Sequence, residues 1–232
     1  MIRLSVITPV FNEEEALPAY LDAAVEWDCV HELLFVDGGS TDGTLEMLGG
    51  LDVLHSAKGR GTQCRLGAEH ATGDAFVFVH GDSIVPAESM RAIHDALASG
   101  VSWGCLSLRF TKNTLDRKIG WWTANARVRW TGIPFGDQTM FMTQEIYESV
   151  GGMPDIPIME DYELSRRLRA ICRPKQLRDK VYTSPRRFES DGNIRAMVLM
   201  RHLRHLYRKG VAVEELAHMY GEGRRQNAEL RK

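Results

Sequence analysis

An α/β fold built on a mostly parallel, twisted sheet is predicted by three features of this sequence. Short apolar runs alternate with helix-periodic segments through the first half of the chain. Two of these runs lead to a carboxylate at their C-terminal ends, Asp37 and Asp82, each followed by turn or helix-start chemistry. The length of 232 residues and an apolar content of 44% suit one α/β domain with a sizeable core. Parallel neighbours need crossover connections, so the alternation implies helices on both faces of the sheet, three layers in all.

The elements follow in order. Strands are expected near 3–8, 32–36, 52–55, 75–79 and 101–108, and helices near 13–26, 43–49, 60–71 and 86–99. In the first helix Ala16, Leu17, Tyr20, Leu21, Ala24 and Val25 repeat with a period of 3.6, and Asn12 is its expected N-cap. Ser40, Thr41 and Asp42 supply caps for the short second helix, and Ser83 and Pro86 open the fourth. Beyond residue 109 the pattern changes. Residues 112–131 are basic and aromatic, with Lys112, Arg117, Lys118, Trp121, Trp122, Arg127, Arg129 and Trp130. A strand is expected at 138–142, then helices near 144–150, 161–172 and 194–209, with a polar, loose tail after Gly221. No linker interrupts the chain. The expected organisation is a main domain over 1–190 with a helical extension over 191–232 packed on it.

Charge and cysteine usage narrow the function classes. A net charge of −2 gives no basic field for nucleic acid. No apolar run approaches the ~20 residues a membrane helix needs, and no secretory h-region precedes Ser5-Val6-Ile7-Thr8-Pro9, so a cytoplasmic location is expected. Cys29, Cys64, Cys105 and Cys172 form no C-x-x-C pair and read as reduced thiols.

Few residues carry chemistry. In an open α/β sheet, ligands bind outside the carboxyl ends of the strands. Asp37, an acceptor-only side chain at such an end, suits the hydroxyls or imide N–H of a nucleoside; a plain strand-to-helix turn is the competing reading. The basic, glycine-containing loop Lys58-Gly59-Arg60-Gly61 opens a helix, where backbone N–H groups and the dipole favour phosphate. Arg60 is the candidate for a diphosphate and Gln63 for a base or ribose, against a solvated basic turn. Glu160-Asp161 begins a helix whose Leu164, Leu168 and Ile171 are buried, leaving the acids at its solvent-side N-terminus.

In order along residues 4 to 168 stand Thr8-Pro9-Val10-Phe11-Asn12-Glu13, Val36-Asp37-Gly38-Gly39-Ser40-Thr41-Asp42-Gly43-Thr44, His80-Gly81-Asp82 and Glu160-Asp161. This series resembles the family 2 glycosyltransferases, which have the GT-A fold. The resemblance implies a cytosolic, metal-dependent enzyme that moves a sugar with inversion from a nucleotide-sugar, most often a UDP-sugar, to an acceptor hydroxyl. Asp37 matches the family's nucleoside-binding acid, and Pro9, Phe11 and Glu13 match its opening loop, with Phe11 against the base and Glu13 at the ribose or capping its own helix. Asp82 matches the acid that holds Mn²⁺ or Mg²⁺; His80 stands where the family has the first acid of D-x-D, as a second metal ligand, a phosphate donor or a strand-end histidine. Asp161 matches the general base that deprotonates the acceptor hydroxyl. Pro134-Phe135-Gly136-Asp137-Gln138 is similar to a G-D-Q segment in a subset associated with arsenosugar-type synthesis, so Asp137 and Gln138 are candidates for the acceptor pocket, with Trp121, Trp122 and Trp130 stacking on a sugar or packing in the core.

Rival functions are separable. A sugar-1-phosphate nucleotidyltransferase wants a basic glycine-rich loop after the first strand, where this chain has the acidic Thr8-Pro9-Val10-Phe11-Asn12-Glu13. A binding module that has lost catalysis is prompted by His80 alone, and no G-x-G-x-x-G follows the first strand for a dinucleotide. The last helix mixes Met197, Leu199, Met200, Leu203 and Leu206 with Arg201, Arg204, His205, Arg208 and Lys209. Packing on the main domain is expected, with homodimer formation and weak contact with an anionic membrane as its alternatives.

Overall fold

The computed structural model describes residues 2–110, 115–183 and 193–229. Its first half alternates much as the sequence predicts: β1 (Leu4–Val10), α1 (Leu17–Ala24), β2 (Val30–Asp37), α2 (Thr44–Met47), β3 (Asp52–His55), α3 (Arg60–His70), β4 (Ala75–Phe78), β5 (Ser83–Ile84), α4 (Ala87–Ala98) and β6 (Trp103–Phe110); β5 was not expected, and it places Ser83 in a strand paired with β8, so that Pro86 alone opens α4. There follow α5 (Leu115–Thr131), a 3-10 turn (Gly136–Gln138), β7 (Met140–Thr143), α6 (Gln144–Ser149), α7 (Glu160–Ile171), β8 (Lys175–Thr183), α8 (Asn193–Arg208) and α9 (Val213–Glu229). Lys112 and the expected boundary near 190 lie outside the described residues, as do the side chains of Arg117 and Met197.

One sheet runs in the order β3-β2-β1-β4-β7-β6-β8-β5. Strands β3, β2, β1 and β4 are parallel, so Val10, Asp37, His55 and Phe78 all end at one edge. β7 runs antiparallel to β4 with Met140 opposite Phe78, which brings the preceding Gly136–Gln138 turn to that same edge. β6 is antiparallel to β7 and parallel to β8, so its C-terminal end also points there. β1 is buried along its whole length, as a central parallel strand must be. Pro9 is tolerated in it because it shares parity with Ile7, whose carbonyl accepts from Val79. The missing N–H therefore faces the side where β4 has already ended.

Two layers of side chains cover the sheet. Leu4, Val6, Leu17, Tyr20, Phe35, Met90, Ile93 and Phe141 form the core on the α1/α4/α5 face. Ile7, Val36, Cys64, Phe76, Met142, Leu164 and Leu168 form it on the α3/α6/α7 face, whereas Ile171, expected beside them, is exposed at the last turn of α7. Gly67 is needed there: a Cβ would sit 2.5 Å from Ile7 Cγ2 and 3.1 Å from Val36 Cγ2, so α3 lies directly on β1 and β2. A third cluster joins Ile158 and Met159 to Leu203 of α8 and Leu216 of α9, with Leu199, Met200 and Leu206 against it.

Several expectations are corrected. α1 begins at Leu17, with Pro18 in its first turn, and not after Asn12. Asn12 adopts a left-handed conformation (φ 53°) and its side-chain oxygen accepts from the Thr41 N–H at 2.8 Å, so a tertiary contact takes the group that capping would have used. The strand expected from 138 starts at Met140, because Gly136–Gln138 closes a 3-10 turn. The run after 112 contains the helix α5, and Lys175–Thr183 is a strand the sequence reading passed over. The segment after Gly221 continues α9 to Glu229, carried by good helix formers and by Glu214 and Glu215 in the first turn.

Candidate functional site

The opening loop is latched onto the turn after β2. The Asn12 N–H donates to Ser40 Oγ at 3.0 Å and the Glu13 N–H donates to Thr44 Oγ1 at 2.8 Å. Asp37, 1% exposed, accepts from the Gly39 N–H at 2.9 Å and the Ser40 N–H at 3.1 Å, and His55 Nδ1 lies 3.7 Å away. Its carboxylate thus holds its own loop in shape at the end of β2. Gln63, 3% exposed, spends both amide hydrogens on the carbonyls of Val10 and Val36, at 2.8 and 2.7 Å. It clamps the ends of β1 and β2 together beneath the loop. Pro9 is buried in the sheet, and Phe11 has Lys58 Nζ 3.7 Å above its ring. Glu13 packs its Cγ where a Gly81 Cβ would come within 3.3 Å, so the opening loop also touches the His80-Gly81-Asp82 turn.

Four chain segments converge on Asp161. Its Oδ2 accepts from the Gly136 N–H at 2.8 Å and its Oδ1 from the Tyr162 N–H at 2.6 Å. A Cβ on Gly136 would lie 2.7 Å from His80 Nε2 and 3.4 Å from Asp161 Oδ2. A side chain at this position would displace the His80 ring, so the glycine lets the 3-10 turn pass close between the end of β4 and the start of α7. Glu160, expected on the solvent side, is buried because Arg60 of α3 donates to it from Nε at 2.9 Å; that carboxylate, with help from Asp161, holds the half-buried guanidinium charged above its ordinary range. Asp137 has a buried Oδ1 without a hydrogen-bond partner among the described residues. Burial pushes its carboxyl up; Arg127 opposes this, while the charges of Asp161 and Asp82 add to it.

The non-glycine residues with positive φ, among those described, are Asn12, Thr139 (49°) and Met159 (69°). They flank the opening loop, the Gly136–Gln138 turn and the start of α7. Each such conformation costs of order 1–3 kcal/mol, and strain of this kind gathers where geometry is fixed for function.

The acceptor expectations divide. Gln138 is fully buried and accepts from Arg127 Nη2 at 2.8 Å, so it ties α5 to the 3-10 turn and does not line an open pocket. Trp121 lies 3.3 Å under Arg109 and packs on the α1/α4/α5 core, whereas Trp122 and Trp130 are exposed. Sequence reading missed the placement of Arg127 and Arg204, both of which pack on Phe135. The basic run was visible, but which cation turns inward depends on the phase of α5, a helix it did not assign.

A divalent cation fits the donor set in a limited way. Among the described residues no three His, Cys, Asp or Glu side chains converge to cage a metal. Mg²⁺-like ions are commonly held by one or two carboxylates plus substrate phosphates, a role Asp82 suits. The Asp137 oxygen, which has no hydrogen-bond partner among the described residues, lies among Asp161 and Asp82 on one hand and Arg127 and Arg60 on the other.

Comparison with known proteins bears on the fold and the family. The chain is 29% identical over 136 residues to the prophage bactoprenol glucosyl transferase homolog of Escherichia coli K12, covering 52% of this chain and 44% of that protein. The chain thus spans less than half the length of that relative. Among solved structures, a mannosyltransferase from Pyrobaculum calidifontis in complex with GDP-Man and Mn²⁺ superposes with a TM-score of 0.64 at 20% identity, over 98% of this chain and 72% of that one. Staphylococcus aureus TarS in complex with UDP-GlcNAc gives 0.60 at 18% identity, over 79% and 58%. These are GT-A glycosyltransferase structures, and the likeness establishes that fold. The sequence model of Glycosyl transferase family 2 matches residues 5–151, well over half the chain, and the chain belongs to that family.

Proposed function

We propose that this protein is a metal-dependent inverting glycosyltransferase that uses a UDP-sugar and an acceptor hydroxyl. The observation that carries this reading is the Asp161 carboxylate, fixed by two backbone N–H groups at the strand-end edge beside Arg60, His80 and Asp137. Asp161 acts as general base: it takes the proton of the acceptor hydroxyl as that oxygen attacks the anomeric carbon and the nucleoside diphosphate leaves. Positioned bases of this kind contribute about 10²–10⁴-fold. Asp82, with His80, would hold Mn²⁺ or Mg²⁺, which supplies charge neutralisation to the leaving diphosphate. Arg60 adds a fixed positive charge there, and Asp37, Pro9, Phe11, Glu13 and Gln63 shape the nucleoside end. The UDP-GlcNAc, GDP-Man and Mn²⁺ carried by proteins of the same fold support a nucleotide-sugar and a divalent ion here.

The segment Gly136-Asp137-Gln138 is the basis for reading kinship with the G-D-Q subset linked to arsenosugar-type synthesis, and residues 191–232 are read as an extension of the same domain, because α8 and α9 share a core with Ile158 and Met159. No helix among the described residues is long and apolar enough to cross a membrane; contact with one would be peripheral and weak, and self-association would use the exposed side of α8. Calorimetric titration of UDP with and without Mn²⁺ tests the function. Tighter binding with metal, lost in Asp82→Ala, is expected; equal affinities in the wild type would refute metal dependence.

A further inference from the structure

Two arginines converge on one ring beside the candidate base. Arg127 of α5 stacks with its Cζ 3.5 Å from the centroid of Phe135, and Arg204 of α8 brings its Cζ to 4.8 Å from the same centroid. Phe135 directly precedes the turn whose Gly136 N–H holds Asp161. Burial lowers both guanidinium groups, and each is also pressed by like charge: Arg127 by Arg204, and Arg204 by Arg208 and Arg201. Asp137 is the strongest attraction on Arg127 and Asp161 attracts both, yet among the described residues no carboxylate lies within ion-pair distance of either. The fork of Arg127 is partly engaged by the Ile133 carbonyl and Gln138 Oε1, which fixes its plane. Tyr162 and Tyr207 extend the aromatic wall, edge-on, from Phe135.

Two half-buried cations on one ring, offset only by carboxylates beyond ion-pair distance, favour a further anion beside them. Guanidinium forks suit the oxygens of a phosphate, which carries close to two negative charges at neutral pH. We infer that Arg127 and Arg204 form a binding site for a phosphate monoester on the acceptor, held so that the neighbouring acceptor hydroxyl reaches Asp161. This rests on the glycosyltransferase reading for its place in the reaction, and it names the acceptor class that reading leaves open. The arginines come from α5 and α8, outside the α3 loop that faces the donor's diphosphate, so acceptor and donor phosphates have separate cations.

The test is a calorimetric titration of methyl phosphate into protein saturated with UDP and Mn²⁺, repeated with Arg204→Gln, Arg204→Lys and Arg127→Gln. Arg204 is half-buried on the surface of α8, so its variants are expected to fold even if Arg127→Gln does not. Methyl phosphate is expected to bind the wild type and to lose about tenfold or more in Arg204→Gln, the scale of one charge-assisted hydrogen bond, with partial recovery in Arg204→Lys and UDP affinity within about twofold of wild type. Vesicles of phosphatidylcholine with or without phosphatidic acid form a second arm. Arg204-dependent binding to the phosphatidic acid vesicles that exceeds binding to methyl phosphate assigns a lipid-borne phosphate; binding to methyl phosphate alone assigns a soluble phosphorylated acceptor. An equal loss of UDP and methyl phosphate affinity in Arg204→Gln would overturn the inference by giving the arginines to the donor. So would the absence of wild-type binding to both phosphate probes. If UDP itself fails to bind, the donor reading falls, while Arg204-dependent methyl phosphate binding still upholds the anion site.

Discussion

Replacing Asp161 by Asn isolates the chemistry of the site from its shape. The carboxylate accepts two backbone hydrogen bonds, one on each oxygen, at 2.8 Å from Gly136 and 2.6 Å from Tyr162. An Asn side chain keeps one acceptor oxygen and turns an NH₂ group toward the other N–H, so one of the two bonds is lost. Charge-assisted bonds are worth about 1.5–3 kcal/mol, which sets the scale of the loss of stability. A domain with about 5–15 kcal/mol of stability stays folded after such a loss. The kinetic effect is larger. Removing a general base costs about 10²–10⁴ in rate, or about 2.7–5.4 kcal/mol at 1.36 kcal/mol per decade. The expected outcome is a turnover number at saturating donor reduced by about 10² or more, with UDP affinity close to wild type and a modestly lower thermal midpoint. Turnover, UDP titration and thermal unfolding are measured on one preparation. A variant that turns over at the wild-type rate once saturated, but binds UDP poorly, would refute the reasoning and make Asp161 a binding residue.

Three further outcomes are expected. Gly67→Ala forces a methyl group to 2.5 Å from Ile7 Cγ2, an overpacking that costs about 1–3 kcal/mol, so thermal unfolding should show a midpoint lower by roughly 2–12 °C; an unchanged midpoint would mean α3 is not pressed on the sheet. Asp137 has its carboxyl raised by burial, so the folded state holds the proton more tightly than the unfolded chain. That contribution is fully present below the ordinary carboxylate value and is lost as pH rises through the raised one. Asp137→Asn should therefore gain stability relative to wild type as pH increases through this window, read by denaturant unfolding at a series of pH values; a difference independent of pH would contradict the burial argument. Vesicle co-sedimentation should show weak binding to anionic vesicles at low salt that disappears at physiological salt, as screening of Lys118, Arg129 and the α8 cations predicts; persistent binding would make the exposed Trp122 and Trp130 a membrane-seated face.

The alternation of β1 to β6 with α1 to α4 was legible because burial imposes period 2 or 3.6 on the apolar residues, and that signal is local. The positions of Asp37, Asp82 and Asp161 were legible for a related reason: each sits at one end of a periodic segment, where the chain must turn; that Asp37 turns its carboxylate onto its own loop was not. Tertiary structure decided what local signals cannot carry. Asn12 has the chemistry of an N-cap, yet the loop after β2 captured its side chain, and Gln63 spent its amide on two strand ends far apart in sequence. α5 and β8 were passed over because their charged and aromatic residues blur the period until neighbours select the buried face; β8 reads as polar because only parts of it meet β6 and β5. The meeting of His80, Gly136 and Asp161, and of Arg127 and Arg204 on Phe135, depends on the antiparallel placement of β7 beside β4 and on the packing of α8 over Met159. Residues so distant in sequence are brought together only by the register of the sheet, and no periodicity along the chain encodes that register.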